Sequence, residues 1–169
     1  MEKRKIFENT RLYNCEDIKN ASIENLKLRA LKLYIILTIL LILVGGLFVG
    51  LGIAYNGDIT TLVSGIVILF MVCFMWTFYL IAITKIKKAD YKDTEYKYTF
   101  YEDELIINVN SINLNQHMVI KYNDVIKCVK SKNYTFIFIN RIQAFFFLNA
   151  DLNDEVYNLL KKNIKNYKD

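Results

Sequence analysis

The chain has 169 residues, 54% of them hydrophobic, and a net charge of +5 from 22 Lys and Arg against 17 Asp and Glu. That length makes one domain, or a small domain with an anchor, and the apolar fraction is too high for an average soluble domain. The charges argue against nucleic acid as a partner, because acidic and basic residues are almost balanced from Glu95 onward and form no one-signed stripe.

In chain order, residues 1–33 carry Lys5 to Arg11, which predicts a short strand. Asn14 with Asp17 behind it then reads as an N-cap with an acidic first turn, opening a helix through Ile18, Ile23, Leu26 and Leu31. Its apolar side chains suit either the bilayer surface or the face of a following domain.

Residues 34–84 contain one charge, Asp58. Tyr34 to Tyr55 and Leu62 to Ile83 are each uncharged and about 33 Å long as helices, against a hydrocarbon core of roughly 30 Å. The link from Asn56 to Thr61 is so short that the two must be antiparallel neighbours. The rest of the chain is too small and polar to cover two helices apolar on every face, and the first run starts too late and is too long for a signal peptide. A transmembrane hairpin is therefore predicted, multi-pass in the cell membrane with the lipid bilayer as a partner. Lys27, Arg29 and Lys32 before it and Lys85, Lys87 and Lys88 after it place both termini on the cytoplasmic side. Gly46 and Gly50 form a GxxxG step, and with Ser64 and Gly65 at comparable depth they are expected to pack the helices together when the chain folds back near Gly57. Neither span holds an Asp, Glu, Lys, Arg or His, so the hairpin reads as an anchor rather than a conduit.

From residue 85 to 169 the pattern changes to short β-rich runs. Strands are predicted near Tyr96 to Tyr101, Glu104 to Val109, His117 to Tyr122, Val125 to Ser131, Tyr134 to Asn140 and Gln143 to Leu148, with tight links that describe an antiparallel meander. Asp151 is a candidate N-cap for a final helix that sets Leu152, Val156, Leu159, Leu160 and Ile164 on one face. The expected class is thus a membrane α-helical hairpin plus an α+β cytoplasmic domain, its meander capped by the C-terminal helix.

Few residues suggest chemistry. The single His117 permits neither a catalytic triad nor a multi-His metal site, and is placed at a strand end. Glu102, Asp103 and Glu104 read as a solvated hairpin tip. Cys15, Cys73 and Cys128 lack zinc or disulfide spacing and read as free thiols. No metal or cofactor is expected. Lys121, Lys127, Lys130, Lys132 and Arg141 are candidates for a surface facing anionic lipid or a partner, although strand alternation should turn Lys127 away from Lys130 and Lys132. Phe145, Phe146 and Phe147 put rings on both faces of their strand, so one face needs a cover from the N-terminal segment, the membrane or a partner.

The order of parts resembles the YcxB-like family of bacterial membrane proteins. The likeness is carried by YTFYEDELIINV at Tyr98 to Val109, by IKYNDVIKCVKSKNYTFIF at Ile120 to Phe138, and by the terminal helix. It implies a domain similar to the pleckstrin-homology type, a bent antiparallel sheet capped by a helix. In that family a basic residue often follows the last strand, where this chain has Leu148, Asn149 and Ala150. Relatives of the fold that bind phosphoinositides do so through a basic first hairpin, which an acidic turn at Glu102 to Glu104 would disfavour. The expectation is a non-enzymatic, membrane-anchored binding or scaffolding module with a protein partner or a second copy of itself. Self-immunity to a bacteriocin, protection from membrane stress, or service as an accessory subunit of a membrane enzyme or transporter are the alternatives.

Overall fold

The structure, a computed structural model, describes residues 4–55, 58–111, 114–141 and 143–169. Asn56 and Gly57, about which the hairpin was expected to fold back, lie outside the described residues. The chain divides into two compact units, Met1–Ala21 with Asp90–Asp169, and Ser22–Ala89.

In the first unit β1 (Lys5–Tyr13) begins a four-stranded antiparallel sheet with β2 (Thr94–Tyr101), β3 (Glu104–Ser111) and β4 (Leu114–Lys121), in that order. The β1–β2 register runs from Lys5 opposite Tyr101 to Tyr13 opposite Thr94, shifting once between Lys5 and Phe7. The strand predicted at Lys5 to Arg11 is therefore the edge of the domain's sheet. A 3₁₀ turn at Tyr122–Asp124 leads to a second sheet, ordered β7 (Ala144–Leu148), β6 (Tyr134–Phe138), β5 (Lys127–Lys130) and β8 (Tyr167–Lys168). β8 pairs parallel to β5, with Cys128 opposite Tyr167. Two sheets, one of them mixed, replace the single meander expected from the strand spacing. Alternation explains the core: Tyr98 and Phe100 of β2, Leu105, Ile107 and Val109 of β3, Ile137 of β6, and Phe145 and Phe147 of β7 all point inward.

The final helix, α4 (Asp154–Asn163), adds Val156, Tyr157 and Leu160 to that core, with Leu152 and Ile164 at its ends. Its N-cap is Asn153, whose Oδ1 accepts from the Val156 N–H at 3.0 Å, not Asp151. Asp151 closes a preceding 3₁₀ turn, Asn149–Asp151, which carries its carboxylate elsewhere.

Helix α1 (Cys15–Leu26) has the expected cap, with Asn14 Oδ1 accepting from the Asp17 N–H at 2.9 Å. A π-helical turn at Lys27–Leu31 joins it to α2 (Lys32–Ala54), so the helix does not break before the first apolar run. Arg29 Nε donates to Asn25 Oδ1 at 2.8 Å within this stretch. α3 (Ile59–Lys88) is the second long helix, started by Asp58, which accepts from the Thr60 N–H. Both are long and apolar enough to cross a membrane, and only 11% and 6% of their most apolar windows are buried. A hairpin serving as a soluble core would be mostly buried instead.

Candidate functional site

Within Ser22–Ala89 the two long helices meet through glycines, though not the expected pair. A Cβ on Gly45 would lie 2.9 Å from the Leu69 side chain, one on Gly52 would lie 2.8 Å from the Leu62 backbone N, and one on Gly65 would lie 2.8 Å from the Val49 backbone N. These three positions let the backbones approach. Gly65 was expected there. Gly46 and Gly50 have nothing within 4 Å of a built Cβ, so the GxxxG step faces away from the partner helix. A turn of 100° per residue explains this: the step Gly45, Gly52 keeps to one face over two turns, and Gly46 lies off it. Ser64 spends its hydroxyl on its own helix, donating to Thr60 O at 2.7 Å.

Toward the other end of the hairpin a polar and aromatic lock holds the pair. Trp76 Nε1 donates to Thr38 Oγ1 at 2.9 Å, and that hydroxyl donates to Tyr34 O at 2.7 Å. The rings of Tyr34, Trp76 and Tyr79 stand 5.2 to 6.2 Å apart around it. The sequence marks Tyr34 only as the start of the first apolar run and gives no sign of the rest, because Thr38 and Trp76 are 38 positions apart and signal only when paired.

In the sheet unit, Phe146 shows what covers the outer face of β7. Its ring meets Tyr13 of β1 edge-on at 5.0 Å, with Tyr96 at 5.7 Å and Tyr134 at 5.9 Å. The N-terminal strand supplies that cover. Tyr13 is fully buried, its hydroxyl accepts from the Leu148 N–H at 3.3 Å, and burial pushes its phenol far above the usual range. Burial, with Asp151 nearby, pushes Tyr98 up to about 12, while Asn9 Nδ2 donates to its hydroxyl at 3.1 Å.

Arg11 Nη1 reaches Asp151 Oδ1 at 3.1 Å, tying β1 to the turn before α4. The Asp151 side chain is 10% exposed, and its Oδ2 is buried with no hydrogen-bond partner among the described residues. Burial raises the carboxyl above its ordinary value, Arg11 opposes this, and Asp17 adds to it. Beside it, Asn149 lies in the stretch Leu148 to Ala150 at the end of β7, which carries no basic residue. Its Oδ1 accepts from Thr135 Oγ1 at 2.8 Å, its Nδ2 donates to Ser131 O at 2.8 Å, and its N–H donates to Asn133 O at 2.9 Å. Tyr157 OH donates toward its oxygens at 3.3 and 3.4 Å. A neutral amide, offering both donors and acceptors, meets this demand where a cation could only donate.

The candidate cations do not converge. Lys127 pairs opposite Phe138 and Lys130 opposite Thr135, so the two lie on opposite faces as alternation required. Lys127 Nζ sits 4.2 Å from the Phe138 ring and Lys130 Nζ 3.7 Å from the Tyr157 ring. Lys121 stands opposite Glu104, while Lys132 and Arg141 flank opposite ends of β6. The acidic tip differs from expectation at one residue: Glu104 opens β3, as its strand prediction has it, but is only 6% exposed rather than solvated. His117 lies inside β4, opposite Asn108 and hydrogen-bonded to it, rather than at a strand end. Cys15, Cys73 and Cys128 are free thiols, and burial pushes Cys128 up to about 12. Among the described residues no three His, Cys, Asp or Glu side chains gather as a metal site. A cleft of about 390 Å³ near the start of β1 is lined by Arg4, Glu102, Glu155 and Lys162, a mixture of both signs, with Arg4 3.8 Å from Glu102.

Residues 100–164 match the family model of the YcxB-like proteins, which covers β2's last residues through α4. No curated protein and no solved structure matches the chain.

Proposed function

We propose, from the YcxB-like match over residues 100–164 as premise, that this chain is a membrane-anchored, non-enzymatic binding module whose hairpin fixes a pleckstrin-homology-like domain at the cytoplasmic leaflet. One observation carries the reading. β1 precedes the hairpin and β2 follows it, yet the two are hydrogen-bonded neighbours in one sheet. A chain that leaves a folded body and returns to the adjacent strand must cross a bilayer an even number of times. Two apolar helices satisfy that, and the lysines flanking them favour the cytoplasm for the shared side.

Counting β1 as first also supports the pleckstrin-homology likeness: four antiparallel strands, three more, then a helix. On this reading the acidic turn at Glu102 and Asp103 is the second connection of the domain, and the first is the hairpin itself. The loop that would meet a headgroup in a soluble relative is here replaced by the anchor. Leu12, Val119 and Ile126, exposed by 61%, 51% and 48%, offer apolar contacts for a protein partner or a second copy.

Membrane fractionation tests the proposal. The full chain should remain with membranes in alkaline carbonate, whereas a chain joining residues 1–21 to 90–169 through a short Gly/Ser linker should be soluble and folded. Release of the full chain by carbonate would contradict the anchor.

A further inference from the structure

We propose that one face of α3, from Phe70 to Lys88, is a binding track for a single anionic phospholipid, with Lys85 and Lys88 holding its phosphate and the exposed rings below them its acyl chain. The inference rests on the membrane-inserted reading of the hairpin. At 100° per residue, Phe70, Phe74, Phe78, Ile81, Lys85 and Lys88 fall within an arc of about 80°. All are turned away from α2: Phe70, Phe74 and Phe78 are 70%, 60% and 54% exposed, and both lysines are exposed. The Phe74 and Phe78 rings stack edge-on at 4.7 Å, which gives the stripe a fixed shape rather than a loose set of side chains.

The dimensions and the charge fit this occupant. Phe70 to Ile81 extends about 16 Å along the helix, close to the roughly 15 Å depth of one leaflet's hydrocarbon. The stripe then runs into an open groove of about 360 Å³ lined by Ile81, Thr84, Lys85, Lys88 and Ala89. Thr84 uses its hydroxyl proton on Leu80 O, so the lysines are the groove's donors to a ligand. Neither ammonium has an ion-pair partner among the described residues, although they face outward at the point where the apolar run ends. Two cations with no ion-pair partner among the described residues, on top of a leaflet-deep apolar track, complement a phosphodiester with its chain. A zwitterionic headgroup would bring its own cation to the same place.

Lys87 provides the control, because its position turns it well away from the track while keeping the same distance from the membrane. The full-length protein is reconstituted in vesicles containing equal phosphatidylglycerol and phosphatidylcholine of matched chains, extracted in mild detergent, and its retained lipid read by native mass spectrometry. Phosphatidylglycerol should be retained over phosphatidylcholine by about fivefold or more. Lys85→Gln with Lys88→Gln should abolish the preference, Lys85→Arg with Lys88→Arg should keep it, and the charge-matched Lys32→Gln with Lys87→Gln should keep it. No preference in the unaltered protein, or equal loss in both glutamine doubles, would overturn the track. Competition by soluble glycerol phosphate would also overturn it, by reducing the site to a headgroup pocket. Failure of the unaltered protein to stay in vesicles under alkaline carbonate would instead refute the anchor on which the inference rests.

Discussion

At the scale of single residues, the domain depends on polar groups that no motif marks. Asn149 joins the β5–β6 turn, the fully buried Thr135 and Tyr157 of α4 through one side chain. Asn149→Ala should cost about 2–4 kcal/mol, because it strands buried donors and acceptors together, and a urea midpoint would check it. Arg11→Gln should cost about 1–3 kcal/mol by leaving the Asp151 carboxylate buried without its cation, tempered by the partial exposure of Arg11. Asp151 also sets a pH dependence. Its folded-state pKa is raised, so its contribution is most favourable below the unfolded value and is lost as pH rises through the folded one. Asp151→Asn should therefore gain thermal stability relative to the unaltered protein as pH rises above the ordinary carboxylate range, and a difference that does not change over that rise would contradict the assignment. The sequence made Asp151 attractive as a cap because it precedes an apolar stripe. Asn153 captured the cap because the intervening 3₁₀ turn delays the helix, and such turns leave no periodicity to read.

At the scale of elements, hydrophobic period and length located both apolar helices, the capped α1 and most strands to within a few residues, because burial acts on every second or every third to fourth side chain. Pairing partners were less legible. The parallel strand β8 is only Tyr167–Lys168, too short for a pattern, and the split into two sheets depends on where β4 ends and the 3₁₀ turn redirects the chain. The glycines show the same limit. Six glycines between residues 45 and 65 offer several small-residue faces, and among the five described ones the choice of Gly45, Gly52 and Gly65 is made by the partner helix. Leu at Gly45 or Gly52 should destabilise the hairpin by about 1–3 kcal/mol, since the added atoms meet side chain or backbone already within 3 Å. Leu at Gly46 or Gly50 should be nearly neutral. Melting of the purified variants in mild detergent separates the two pairs, and equal losses would place the helix contact elsewhere.

At the scale of the whole molecule, the sheet unit is assembled from chain on both sides of the hairpin. A fragment of residues 90–169 would expose the edge of β2 and lose the Tyr13 cover over Phe146. It should be less stable than residues 1–21 linked to 90–169, by circular dichroism on heating. The strand at Lys5 was visible in the sequence, but its partner was not, because more than eighty positions separate Tyr13 from Thr94. The central claim, a hairpin whose two flanks share one side of a membrane while its link lies on the other, is tested most directly by labelling. In a background of Cys15→Ser, Cys73→Ala and Cys128→Ala, single cysteines at Asn20, Asp58 and Asp93 are exposed to a membrane-impermeant maleimide in whole cells. The cysteine at Asp58 should react in intact cells, and those at Asn20 and Asp93 only after permeabilisation. Reaction of either flank together with the link in intact cells, or no reaction of the link, would contradict the account.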